Sequence, residues 1–175
     1  DQGYEVSDLI EVGVMIEVPS SVWIMDQLVE EVDFVSVGTN DLTQYMLAVD
    51  RDNPRVSSLY EPYHPAVLRA LDHVARTARE GGISCSVCGD MAGDYAMAVA
   101  LVGMGYHALS ASRTFLPELR FALRQTTLAD AQLLARQILK AKGPAEVRAT
   151  LDGVRSQLHT GLGEETPSAP FTDVE

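Results

Sequence analysis

Between residues 10 and 110, short apolar runs alternate with longer stretches in which apolar positions return every three or four residues. The first run, residues 10–18, is rich in Val, Ile and Met and reads as a strand. Pro19-Ser-Ser21 then supplies a helix start, with Val22, Met25, Leu28, Val29 and Val32 at helical spacing. Phe34 to Gly38 reads as a second strand and Leu42 to Val49 as a short helix. Asp50 to His64 is a polar loop, long enough to be functional or disordered. Pro65 opens a long helix whose face carries Val67, Leu68, Leu71, Val74, Ala75 and Ala78, and Gly81-Gly82 stops it. Ile83 to Cys88 reads as a third strand. Asp94 caps a helix running to about Val102, Gly103-Met-Gly105 breaks it, and Ala108 to Ser110 is a short fourth strand.

Beyond that point the period is helical only. Leu116–Arg124, Thr127–Lys140 and Pro144–Leu158 read as packing helices with no visible chemistry, Thr127 capping the second. Residues 159–175 combine Gly, Pro, Ser, Thr and acids and are expected to be a disordered tail. Four strands alternating with helices predict an α/β fold with a parallel sheet. A complete (β/α)8 TIM barrel takes about 250 residues, so four βα units amount to half of one. The expected architecture is the C-terminal half of such a barrel over residues 1–125, then packing helices over 126–158 and the tail over 159–175. A small open doubly wound sheet is the alternative.

Length and composition fit this picture. The 175 residues can bury a real core, and 46% of them are apolar. A formal charge of −12 argues against nucleic acid or a membrane surface as partner, since both favour basic patches. No apolar run reaches the roughly 20 residues that span a bilayer, and no signal peptide is visible. The chain opens on Asp1 in a polar segment just ahead of a strand, and is expected to be part of a longer protein. Its two cysteines, Cys85 and Cys88, lack the second ligand pair that zinc requires. Three apart on a strand, they point to opposite faces and are not expected to bond each other. Reduced thiols fit a cytoplasmic protein.

Chemistry gathers at the strand ends, which in a barrel share one rim. The first strand offers Glu17, the second Asn40 and Asp41, the third Cys88, Gly89 and Asp90. Two carboxylates and an amide at one rim suit Mg²⁺, the remaining ligands being water and a substrate phosphate. Each residue also has a plainer use. Glu17 could cap the helix after Pro19, and Asp41 could be the N-cap of the helix from Leu42. Arg51 offers a fork for phosphate or carboxylate, or is a solvated loop charge. Cys88 could be an acid or nucleophile, or a small buried hydrophobe. The four histidines sit outside any nucleophile motif and read as structural.

Four motifs in order are recognisable together: Gly13-Val-Met-Ile-Glu-Val-Pro19, Gly38-Thr-Asn-Asp-Leu-Thr-Gln-Tyr45, Leu47-Ala-Val-Asp-Arg51 and Cys88-Gly-Asp-Met-Ala-Gly-Asp94. Over roughly residues 10–125 the chain resembles the phosphoenolpyruvate-utilising enzymes, most of all the phosphoenolpyruvate–protein phosphotransferases. Asp52-Asn-Pro-Arg-Val-Ser57 and Tyr63-His-Pro-Ala-Val-Leu68 resemble the nitrogen-related branch. The resemblance implies that Glu17 and Asp41 bind Mg²⁺, that Asn40 and Arg51 contact the phosphate of phosphoenolpyruvate, and that Cys88 protonates the enolpyruvate carbon. It further implies a histidine phosphoryl acceptor on a separate domain, a phosphocarrier protein as the next recipient, and a homodimer. Two departures stand out. The family usually has Glu at position 90, where this chain has Asp90, and Met and Asn within the stretch Leu109-Ser-Ala-Ser-Arg113. A dimerisation or regulatory module without turnover, and a relative of the dikinases or synthases, are the competing readings. The 45–51 stretch favours the protein phosphotransferases.

Overall fold

The computed structural model describes residue 7 and residues 9–162, with side chains as far as Leu158. Four strands form one parallel sheet: β1 (Gly13–Ile16), β2 (Phe34–Gly38), β3 (Ser84–Cys88) and β4 (Ala108–Ser110). They lie side by side in the order of the sequence. Right-handed crossovers between successive neighbours keep the connecting helices on one face of a sheet. A doubly wound sheet instead reverses its order at a switch point. The consecutive order is that of four successive βα units of a TIM-barrel-like fold and lacks the reversal of a doubly wound sheet among the described strands.

The register shows how side chains divide between the two faces. Ile16, Val37, Val87 and Leu109 form one cross-strand row. Ile16, Val37 and Val87 are fully buried, as is Val35 two positions back on β2. The neighbouring row, Met15, Ser36, Ser86 and Ala108, faces the other way. Met15 there remains 47% exposed. Helices thus cover one face, and the other, which would be the interior of a closed barrel, stays open. Burial separates the cysteines as alternation requires: Cys85 is buried, Cys88 half-buried, and both are free thiols.

The helices follow the sequence pattern with local differences. The segment after Pro19 forms two short helices, α1 (Pro19–Trp23) and α2 (Met25–Leu28), broken at Ile24, whose φ of −111° leaves the helical region. α3 (Thr39–Leu47) begins directly from β2, three residues before the expected start, with Gly38 as N-cap. Asp41 is therefore in the first turn of α3 and is not its cap. β1 is shorter than the expected 10–18, because only residues 13–16 pair with β2.

α4 (Pro65–Glu80) is capped by His64, whose Nδ1 accepts the Ala66 N–H at 3.1 Å. After β3 come α5 (Asp90–Gly93) and α6 (Tyr95–Met104). Ala96 to Leu101 of α6 are all buried, as expected for a helix enclosed on every side. α7 (Leu116–Gln125), α8 (Leu128–Lys140) and α9 (Pro144–Leu162) complete the chain. Ala131, Leu134, Ala135 and Ile138 of α8 and Val147 and Leu151 of α9 belong to the same buried cluster as the sheet residues Val35, Val37 and Val87. The expected disordered tail starts too early, since residues 159–162 continue α9; its remainder, 163–175, lies outside the described residues.

Candidate functional site

The parallel strands all end at one rim, and the rim is built by close backbone approach. At Gly38 a Cβ would lie 3.2 Å from Glu17 Oε2 and 3.3 Å from Glu17 Cβ. The Glu17 side chain thus folds across the end of β2, close over the Cα of Gly38. Gly38 in turn is the register partner of Cys88, and Cys88 of Ser110. Cys88 Sγ lies 3.5 Å from the Val37 carbonyl oxygen and 3.9 Å from Met15 Sδ. The carboxylate expected from the first strand and the thiol expected from the third therefore flank the same glycine.

The β2–α3 junction is tied to the β3–α5 junction by a reciprocal pair. The Asp90 N–H donates to Asn40 Oδ1 at 3.0 Å, and Asn40 Nδ2 donates to Asp90 Oδ2 at 3.2 Å. Beside them the Thr39 hydroxyl donates to the Cys88 carbonyl at 2.8 Å. Gly89 makes this possible. Its φ is +102°, and a Cβ there would fall 2.4 Å from Thr39 Oγ1 and 2.9 Å from Asn40 Oδ1.

Arg51 comes back to the rim from the loop after α3. Its Nη2 lies 3.7 Å from Asp41 Oδ1, and its backbone N–H donates to Gln44 Oε1 at 3.1 Å. Among the described residues its Nη1 and the Thr43 hydroxyl are buried and make no hydrogen bond of ordinary geometry, although both lie close enough to the Tyr60 phenol to act on it. Buried donors are nearly always satisfied, so an orphan at a rim points to a missing acceptor. Tyr60 closes the neighbourhood, its hydroxyl donating to the Asn40 carbonyl at 3.2 Å. Burial pushes the Tyr60 phenol up, while Thr43 and Arg51 nearby oppose the shift. Thr39, Asn40, Tyr60, Pro62, Tyr63, Asp90 and Met91 line a cleft of about 140 Å³ at this place.

Every residue singled out from the sequence lies at this rim. Glu17, Gly38 and Cys88 form one group; Asn40 with Asp90, and Asp41 with Arg51, form the other, joined through α3. Among the described residues, no group of three or more His, Cys, Asp or Glu side chains converges to hold a metal. Magnesium takes one or two carboxylates and completes its shell with water and phosphate oxygens. Sequence reasoning missed the wall residues Tyr60 and Tyr63, which lay in a loop without periodicity, and read Asp94 as a helix cap alone.

Comparison with known proteins decides the family. The pattern described as "PEP-utilising enzyme, PEP-binding domain" matches residues 1–128. The chain belongs to the phosphoenolpyruvate-utilising enzymes. The matched range contains all the rim segments described above, from Gly13 to Asp94. The chain is 45% identical over 153 residues to "Phosphoenolpyruvate-dependent phosphotransferase system" of Salmonella typhimurium, covering 83% of this chain and 20% of that protein. It is 44% identical over 160 residues to "Phosphoenolpyruvate-protein phosphotransferase" of Priestia megaterium, covering 91% of this chain and 27% of that protein. A "Multiphosphoryl transfer protein 1" of Escherichia coli is 40% identical over 149 residues, or 85% of this chain and 18% of that protein. The chain thus spans between about a fifth and a quarter of these relatives' length. No helix among the described residues is long and apolar enough to cross a membrane.

Proposed function

We propose that this chain supplies the phosphoenolpyruvate-binding part of a phosphoenolpyruvate–protein phosphotransferase. The observation that carries the reading is the buried Arg51 Nη1, without a hydrogen bond of ordinary geometry, beside Asp41 at the common strand-end rim. An anionic oxygen is the acceptor that such a donor lacks. Arg51 and the Asn40 amide would bind the phosphate, as a fork and a neutral donor. Glu17 and Asp41 would hold Mg²⁺, which when bound neutralises charge on the phosphoryl oxygens.

The chemistry then needs two events. The bond between phosphorus and the enol oxygen breaks as the phosphoryl group passes to a histidine nitrogen on another domain of the enzyme, and from there to a carrier protein. The electron pair left on the enolate forms a carbon–hydrogen bond with the proton of the Cys88 thiol, giving pyruvate and a thiolate that solvent reprotonates. Cys88 suits the role because it is half-buried at the strand end, whereas Cys85 is buried on the helix-covered face. We read the intact protein as cytoplasmic and the chain in isolation as inactive in phosphoryl transfer, because the acceptor histidine belongs to a separate domain.

Two variants of the full-length enzyme test this. Asp41→Ala should abolish Mg²⁺-dependent pyruvate formation; retained turnover would sink the metal assignment. Cys88→Ala should slow pyruvate formation far more than it weakens phosphoenolpyruvate binding, and a normal rate of pyruvate production would refute the proton-donor role.

A second reading, that the chain also serves as a dimerisation module, is favoured by its open edges. Among the described residues β1 and β4 each have one strand neighbour. Leu9, Ile10 and Val12, leading into β1, are 90%, 58% and 60% exposed.

A further inference from the structure

The helix that looked like packing alone reaches back to the rim through two arginines. Arg148 and Arg155 are seven residues apart on α9 and so share one of its faces. Arg148 Nη2 meets both carboxylate oxygens of Glu61, at 2.8 and 2.7 Å, and its guanidinium carbon lies 5.3 Å from the centre of the Tyr63 ring. Glu61 also accepts the Tyr63 backbone N–H at 3.0 Å. Arg155 Nη2 pairs with Asp94 Oδ2, the oxygen that also accepts the Tyr63 hydroxyl. The other oxygen of Asp94 caps α6 through the Ala96 N–H at 3.0 Å. Asp94 is therefore shared between the start of α6, the loop and α9. The strapped segment, residues 60–63, forms one wall of the cleft that Asn40 and Asp90 line opposite, and Tyr60 in it holds the Asn40 carbonyl.

We propose that Arg148 and Arg155 are positioning residues: α9 uses them to hold segment 60–63 against the rim, and through Tyr60 they fix Asn40 where it meets the substrate phosphate. This rests on the assignment of Asn40 to the phosphate. The wall is otherwise held by the Tyr60 bond to Asn40, by Tyr63 packing against the core and by a few backbone hydrogen bonds within the loop. Residues 50–64 form a loop with one short 3₁₀ turn, Ser57–Leu59, and the side chains of Leu59 and Arg148 are largely exposed. Arg148 bonds Glu61 and lies over the ring of Tyr63, a wall residue of the cleft, while Arg155 bonds Asp94, the anchor of that wall, so both act on binding by holding the wall in place. Loss of a strap frees the wall before it unfolds the barrel half, since Val147 and Leu151 keep α9 buried in the core.

The test pairs kinetics of the full-length enzyme with hydrogen exchange in the absence of ligand. Arg148→Met should raise KM for phosphoenolpyruvate by about tenfold with kcat changed by no more than about twofold. It should speed amide exchange in residues 57–63 by about tenfold while leaving β2 and β3 unchanged. The exchanged pair, Glu61→Arg with Arg148→Glu, should restore both values. Unchanged exchange in Arg148→Met overturns the strap whatever the site does. Faster exchange with an unchanged KM, in an enzyme whose KM does rise on Asn40→Ala, overturns the positioning role and leaves the site assignment standing. If Asn40→Ala also leaves KM unchanged, the assignment of Asn40 has failed and the proposal falls with it.

Discussion

Asn40 and Asp90 hold each other in both directions, the side-chain amide of one closing on the peptide N–H and carboxylate of the other at 3.0 and 3.2 Å. The pair locks the β2 and β3 strand ends together at the base of the cleft. It also fixes which way the Asn40 amide points, because Asp90 can accept only from the nitrogen. The shorter acid at position 90 fits this short bridge. Asn40→Asp would replace the donor by a second carboxylate facing the first. The expected cost is about 0.5–1.5 kcal/mol of folding stability, the worth of an exposed hydrogen bond, measured by urea denaturation at neutral pH, with loss of pyruvate formation in the full-length enzyme. Unchanged stability would mean that the pair contributes nothing to the rim.

Gly89 should tolerate no side chain. A methyl there must fit a φ of +102° and the space of Thr39 Oγ1, 2.4 Å away. Gly89→Ala is expected to cost about 1–3 kcal/mol from backbone strain alone, and to break the Thr39 hydrogen bond to the Cys88 carbonyl. Denaturation compared with Gly143→Ala, where nothing lies within 4 Å of the added methyl, isolates the effect. Equal midpoints for the two variants would contradict the close approach.

Alkaline pH should destabilise the fold in a defined window. Burial pushes the Cys85 thiol from 9.0 up to about 12. Burial, and then the hydrogen bond to Asp94, push the Tyr63 phenol from 10.0 up to about 12. Both groups are neutral when protonated, so the folded chain keeps protons that the unfolded chain releases. Their contribution is complete below pH 9 and is lost as pH climbs toward 12. Denaturation midpoints should fall between pH 9 and 11, and Cys85→Ala should flatten the first part of that fall. A midpoint that is level across the range, or a slope identical in the variant, would refute the burial of the Cys85 thiol.

The chain alone should self-associate. Two sheet edges unpaired among the described residues, an open sheet face carrying Met15, and Trp23 at 68% exposure leave much apolar surface for another chain to cover. Sedimentation velocity should show a species heavier than 19.0 kDa that dissociates on dilution. A single monomeric boundary at high concentration would count against it.

The sheet was legible in the sequence because a buried strand is a short unbroken apolar run, and Phe34–Gly38 has no competing helical reading. The start of α3 was not, because Thr39, Asn40 and Asp41 are poor helix formers that propensity places in a turn. Here Gly38 ends the strand, and the residues after it enter the helix at once. The residues of the rim were legible as residue types at strand ends, but not their pairing. Nothing local links Asn40 to Asp90, or Arg155 to Asp94, because those contacts span 50 and 61 positions. The α9 arginines looked like ordinary surface charges for the same reason.

The most direct test is calorimetric titration of phosphoenolpyruvate into the full-length enzyme, with Mg²⁺ and then with excess EDTA, for the wild type and for Glu17→Gln. Glu17 is the best choice because it folds over Gly38 and stands apart from the Asn40–Asp90 bridge and the Arg51–Asp41 contact. The account predicts binding that needs the metal in the wild type and is weakened at least about tenfold by the substitution. Binding of equal strength with and without metal, or unaltered by Glu17→Gln, would contradict a phosphoenolpyruvate site built on this rim.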